Sequence, residues 1–237
     1  MGRTLIYIPI IHTDPDLGSL APDVEEKATQ LLGERWERHK KVVEEYWGGI
    51  GKYFERRNLK GVKIFQDALP AGGKEAEIII DKLAKTGSPN YRLLKKLVSQ
   101  GAILQKTEDF ALLKQEYQLT KKLMLHQSLF WVILAFLNYR LKKGRLLKAR
   151  DRYIAAQINQ NLKEGEKEGE TGVCFLGAYH QVLPKLSKAI KIIQVKQSSK
   201  LREYYQKLIA NKGTKEINRL AYYLRKPVKK GTLGNYE

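Results

Sequence analysis

Gly172-Val173-Cys174-Phe175-Leu176-Gly177-Ala178-Tyr179-His180 is a short apolar run that ends on a histidine. A half-exposed strand alternates apolar with polar residues, so this run predicts a strand buried on both faces, as in a parallel sheet. The next segment, Gln181 to Ala189, has helical spacing. A strand feeding a helix sets the side chain between them at the carboxyl edge of the sheet, where open α/β sheets hold their ligands. His180 stands at that junction, and Gly177 leaves room for a close approach. A strand that simply ends on a polar residue is the plainer alternative, and from this stretch alone it is the favoured one.

Working outward, the same pattern recurs. Leu5-Ile6-Tyr7-Ile8-Pro9-Ile10-Ile11-His12 is an apolar strand ending on a histidine, with Pro9 placing it at an edge or interrupting it. The loop Thr13 to Ser19 follows, its carboxylates reading as turn formers more readily than as ligands. Val62-Lys63-Ile64-Phe65 is a further strand, and Asp67 stands at its end as His12 and His180 stand at theirs. Gly101 to Leu104 and Lys191 to Val195 complete the set of strands near 5–11, 62–66, 101–105, 172–179 and 191–195. After the third of these, Thr107-Glu108-Asp109 reads as an ordinary capped helix start.

Between the strands the spacing is helical. Pro22 to about Asn58 carries apolar residues three or four apart, with Gly48-Gly49 expected to bend or break it. His39, amid Arg35, Arg38, Lys40 and Lys41, is read as solvated and outside any site. Gly73 to Lys85 and Asn90 to Gln100 are two more helices. Leu123 to Leu141 is the longest apolar stretch, but His126, Gln127, Ser128, Asn138 and Arg140 interrupt it, and a span needs roughly 20 mostly apolar residues. It is expected as a buried helix with no membrane span. After Gly144, Lys148 to Ile158 reads as a helix with a stripe of Tyr153, Ile154, Ile158 and Leu162, and an acidic, Gly-rich link from Glu164 to Glu170 leads to the strand that ends on His180.

The chain has 237 residues and a formal charge of +19, from 44 Lys and Arg against 25 Asp and Glu. That balance suits nucleic acid, an anionic surface or an anionic substrate. One cysteine, Cys174, excludes a disulfide framework and a cysteine-based metal cluster. The opening residues do not form a signal sequence, and a cytoplasmic protein is expected. Beyond Val195 the chain is helical and basic, its lysines and arginines interleaved with Tyr204, Tyr205, Tyr222 and Tyr223. Cations among tyrosines fit nucleic acid. They equally fit a solvated segment with a Tyr-rich inner face, which is the preferred reading.

Crossover connections align the strands in parallel and bring their carboxyl ends together. His12, Asp67 and His180 then share one rim. Two imidazoles and a carboxylate suit a divalent metal that activates water for hydrolysis.

Phe175-Leu176-Gly177-Ala178-Tyr179-His180 resembles the second Gly-x-x-His motif of the superfamily of TraB and PrgY pheromone-shutdown proteins, Tiki metalloproteases, erythromycin esterases and ChaN haem-binding proteins. Upstream, Arg150-Asp151, a helix and a short link resemble the family's Arg-Asn or Arg-Asp helix. The resemblance implies His12 as the first histidine, Asp67 as the acid, Arg150 as the arginine and His180 as the second histidine. Pro9-Ile10-Ile11-His12 lacks the family's first glycine, and Asp67 stands where glutamate is commoner.

The expected fold is α/β, a largely parallel or mixed central sheet surrounded by helices. Residues 1–195 form the domain, and residues 196–237 a basic helical extension packed on it. The expected function is that of a metal-dependent hydrolase with its pocket at the strand ends, acting on a small-molecule or peptide substrate. His12, Asp67 and His180 would hold a divalent metal or serve as acid and base, and Arg150 would stabilise an oxyanion or bind an acidic group. The alternative is a non-catalytic protein that binds nucleic acid or another anionic partner through its basic surface.

Overall fold

Five apolar runs become strands: β1 (Arg3–Ile10), β2 (Lys63–Gln66), β3 (Ile103–Gln105), β4 (Thr171–Gly177) and β5 (Ile190–Gln194). They pair in the order β3-β2-β4-β1-β5, every pair parallel. The computed structural model describes residues 2–11, 21–124, 129–162, 170–210 and 213–228. His12 lies outside them.

The helices are α1 (Ala21–Leu32), α2 (Glu34–Phe54), α3 (Gly73–Lys85), α4 (Pro89–Ser99), α5 (Phe110–Met124), α6 (Leu129–Asn161), α7 (Ser198–Ile209) and α8 (Thr214–Arg225). Strand alternation divides the core into two layers. Ile6, Ile8, Ile10, Ile64, Val173 and Phe175 face α2, α3, α4, α7 and α8. Leu5, Tyr7, Phe65, Cys174 and Leu176 face α6, through Ile154, Ala155, Ile158 and Leu162. The middle strand β4 is buried on both faces, which is why its sequence shows no alternation. Gly172 sits where α6 presses on the sheet: a Cβ there would come within 3.1 Å of both Leu162 and Leu5.

Several local expectations need correction: His39 is buried, and β1 runs unbroken through Pro9 between β4 and β5. The long first helical region breaks at Gly33, whose φ of 51 and ψ of −127 suit only glycine, whereas Gly48 and Gly49 lie inside continuous α2. Residues 181–189 form a single 3₁₀ turn, Leu183–Lys185, because α6 captures the chain instead: Asn159 Oδ1 accepts from the Ser187 N–H at 2.9 Å. The helix expected to start after Gly144 is the second half of α6, which runs through that glycine. No helix among the described residues is long and apolar enough to cross a membrane. The side chains of 122–143, on which the expected burial of Leu123 to Leu141 falls, lie outside the description.

Candidate functional site

Because all strands run the same way, their carboxyl ends form one edge, and the chain turns sharply there. After β2, Ala68 adopts a φ of 58. This left-handed residue is uncommon outside glycine, and such residues concentrate at functional sites. Asp67 stands just before it, its N–H donating to Phe175 O at 2.8 Å, so the β2–β4 ladder continues into the turn. Alternation from Phe65 sends the Asp67 side chain toward α6. The segment after β3 is tied to the same turn. Leu69 O accepts from the N–H groups of Thr107 and Glu108, both at 3.0 Å, while Thr107 Oγ1 accepts from Gln66 N–H at 3.0 Å. Thr107 thus brackets the two strand ends and delivers Glu108 to the rim.

After β4 the turn Gly177 to His180 closes with the His180 N–H on Gly177 O at 3.0 Å, and Arg202 from α7 donates to Ala178 O at 2.7 Å. On β1, Tyr46 donates to Pro9 O at 2.5 Å and Trp47 to Ile11 O at 3.1 Å. Ile10 pairs with Gly177, so β1 ends beside the turn that carries His180.

Into this edge α6 projects Arg150 and Asp151, one helical turn before Ile154 and Ala155 on the same buried stripe. Arg150 is 5 % exposed and is held by three carboxylates. Its Nη2 donates to Asp67 Oδ1 at 2.8 Å, its Nε to both oxygens of Glu108 at 3.2 and 3.1 Å, its Nη2 also to Glu108 Oε1, and its Nη1 to Glu116 of α5. The second oxygen of Asp67 accepts from Gly177 N–H at 2.8 Å and lies 3.4 Å from His180 Nε2. Asp151 clasps the other side of the ring: its Oδ1 is 2.6 Å from His180 Nδ1, and its Oδ2 accepts from Gln181 N–H at 3.0 Å.

No family model, curated protein or solved structure matches this chain. The geometry alone must therefore say what the edge does.

Burial by itself would pull the His180 imidazole down, but the Asp67 charge and hydrogen bonds to Asp151 and Asp67 outweigh it and hold the ring up at about 10. Burial raises the Glu108 carboxyl above its ordinary range and the Asp67 charge adds to this, against the hydrogen bond and charge of Arg150. The surplus of carboxylates pushes in the same direction at both groups. Among the described residues four carboxylates, Asp67, Glu108, Glu116 and Asp151, meet two cations, Arg150 and protonated His180, so full ionisation leaves two negative charges in excess. A proton on Glu108 relieves part of that excess, and a divalent cation, even after displacing the His180 proton, also reduces it.

The donor set fits such a cation. Asp67, Glu108 and His180 are all buried, and each offers a ligand atom within 4.8 Å of the others. One imidazole nitrogen and two carboxylate oxygens suit zinc, manganese or iron. Asp151 completes a carboxylate–histidine pair of the kind that orients metal ligands, because a hydrogen on Nδ1 leaves Nε2 for the ion.

Of the sequence candidates, Asp67, Arg150 and His180 come together, and His12 lies outside the described residues. Glu108, Glu116 and Asp151 were not singled out. The strand-end logic that selects Asp67 would have found Glu108, had it not been set aside as a helix start. Asp151 stands seven residues before Ile158 of the apolar stripe, a helical spacing that places it on the same face. Nothing in the sequence marks Glu116.

Proposed function

We propose that this chain is a metal-dependent hydrolase, related to the TraB, Tiki, erythromycin esterase and ChaN superfamily, with its active centre at the carboxyl edge of the sheet. The observation that carries the reading is the Asp151–His180–Asp67 alignment, with Nδ1 fixed by Asp151 and Nε2 facing the Asp67 and Glu108 carboxylates.

Asp67, Glu108 and His180 would hold a divalent cation. Bound there, it would supply Lewis acidity and a water acidified toward neutrality. The rest is the work of the chain. Asp151 keeps the His180 proton on Nδ1 and steadies the ring. Gly177 N–H and Arg150 each take one oxygen of Asp67 and fix its plane. Arg150, with Asp67, Glu108 and Glu116 around its guanidinium, organises these carboxylates and keeps one Nη1 hydrogen for a substrate oxyanion. Were the edge to act without an ion, Glu108, its carboxyl raised by burial, would be suited to pass a proton between water and leaving group near neutral pH.

The test is calorimetry with zinc and manganese, together with a hydrolysis screen on ester and peptide substrates. His180→Ala should weaken metal binding by more than about 100-fold, beyond what loss of an outer partner does, and abolish metal-stimulated turnover. Unchanged binding and turnover in that variant would exclude the site.

A further inference from the structure

Helices α2, α7 and α8 lie against the sheet face opposite α6 and line a half-open cavity of about 240 Å³. Its lining is lopsided in charge: Arg35, Arg38 and Lys41 from α2 and Arg225 from α8 surround it, with Glu45 as the one carboxylate. The existing pairs are loose and exposed. Arg38 is 3.8 Å from Glu34, and Arg225 is 3.8 Å from Glu45. Arg35 differs from the others. Its Nη1 is buried and has no hydrogen-bond partner, a costly state that is rare in native proteins. Arg35 thus lines a basic cavity while the protein leaves part of its guanidinium uncompensated, and an anion in the cavity would compensate it.

The remaining wall is apolar or neutral. Val42, Leu208 and Ile217 contribute hydrocarbon, and Asn218 an amide. His39 lines the cavity as well, its Nδ1 3.0 Å from the Tyr204 hydroxyl. Burial pushes it down to about 4, so it is neutral near pH 7 and adds no charge. The volume lies below the roughly 300–1,000 Å³ of clefts for drug-sized ligands, too small for a nucleic-acid strand. Several cations against one carboxylate favour a dianion over a monoanion, and the hydrocarbon wall favours a ligand with an apolar body.

We propose that this cavity binds a small organic phosphate monoester, with its phosphoryl oxygens on Arg35, Arg38 and Lys41 and its body against Val42, Leu208 and Ile217. The site is independent of the one at the strand ends, and the two readings stand or fall separately.

Titration calorimetry of the full chain at physiological ionic strength would use phenyl phosphate, inorganic phosphate and benzoate. Phenyl phosphate should bind saturably at one site, about tenfold or more tighter than either alternative, and Arg35→Gln should weaken it about tenfold or more through loss of a charge-assisted pair. The double variant R38Q/K41Q, at positions on the helix rim, keeps the proposal testable if Arg35→Gln fails to fold, and should weaken binding likewise. Lys188→Gln, an exposed change in the loop before β5, should leave it unchanged. Absence of saturable binding, or equal weakening by Lys188→Gln, would overturn the site. Inorganic phosphate or benzoate binding as tightly as phenyl phosphate would overturn the assignment of its ligand.

Discussion

At the scale of single residues, two histidines show how environment decides chemistry. His180 is held protonated by carboxylates, whereas a metal ligand must give up its proton. Metal binding near pH 7 should therefore release about one to two protons per ion, from His180 and the part-protonated Glu108, read by calorimetry in buffers of different ionisation enthalpy, and affinity should fall as the pH is lowered. Asp151→Asn removes the charge that fixes Nδ1 and should weaken metal binding by about 10- to 100-fold while the fold persists. His39 is the converse case, 3 % exposed with no carboxylate partner and pushed by burial to about 4 from 6.5. A histidine depressed in the folded state contributes stability that is present above the unfolded value and lost as pH falls through the folded one. Urea titrations at pH 7 and pH 4 should differ by up to about 3 kcal/mol on this account, and His39→Phe should remove that part of the difference. Its burial was legible in principle, since His39 precedes buried Val42, Val43 and Tyr46 by three, four and seven residues. Its charged neighbours in the sequence masked that spacing.

At the scale of elements, the strands were the most legible part, and the reason is physical. Val173 to Leu176 and Leu5 to Ile8 must be apolar without alternation because helices cover both faces, a pattern that loops and surface helices do not produce. Strand ends followed from strands, which is how Asp67 and His180 could be picked. Glu108 was hidden because an acid after threonine is also how helices begin, and only the hydrogen bonds from Thr107 and Glu108 to Leu69 reveal that this segment serves the rim. Glycines were the least legible, since identity does not say which of them carries an unusual backbone. The structure separates them and gives paired expectations. Gly49→Ala, in the interior of α2 where a Cβ meets nothing within 4 Å, should stabilise the protein by about 0.5–1 kcal/mol. Gly33→Ala, at a φ of 51 with equal space around it, should destabilise it by about 1–3 kcal/mol. Chemical denaturation of both variants checks the pair, and equal effects would mean that the helix break is misplaced.

At the scale of the whole molecule, the question is what the basic carboxyl-terminal segment contributes. Its tyrosines are largely committed: Tyr204 is buried, the Tyr223 ring lies under Lys196 and Lys200 at 5.0 and 4.3 Å, and Tyr222 remains exposed. Rings already covered by cations have little face left for bases, so contact with nucleic acid through these helices would rest on phosphates alone and weaken steeply with salt. The segment is also built into the core. Leu201, Tyr204, Leu208, Leu220 and Leu224 are buried in the layer shared with α2. Arg202 holds the Gly177 to His180 turn, and Lys196 donates to Tyr223 O and Lys226 O at 2.9 and 2.7 Å. Exposing five large apolar side chains costs on the order of 10 kcal/mol, as much as the roughly 5–15 kcal/mol that holds a typical domain together. A chain ending at Val195 should therefore lack a cooperative thermal transition and lose metal binding with its fold. Reversing surface charges at Lys200, Lys207 and Arg219 should leave the transition within a few degrees of the parent. A truncated chain that melts cooperatively would show that the sheet and the helices before it are sufficient alone.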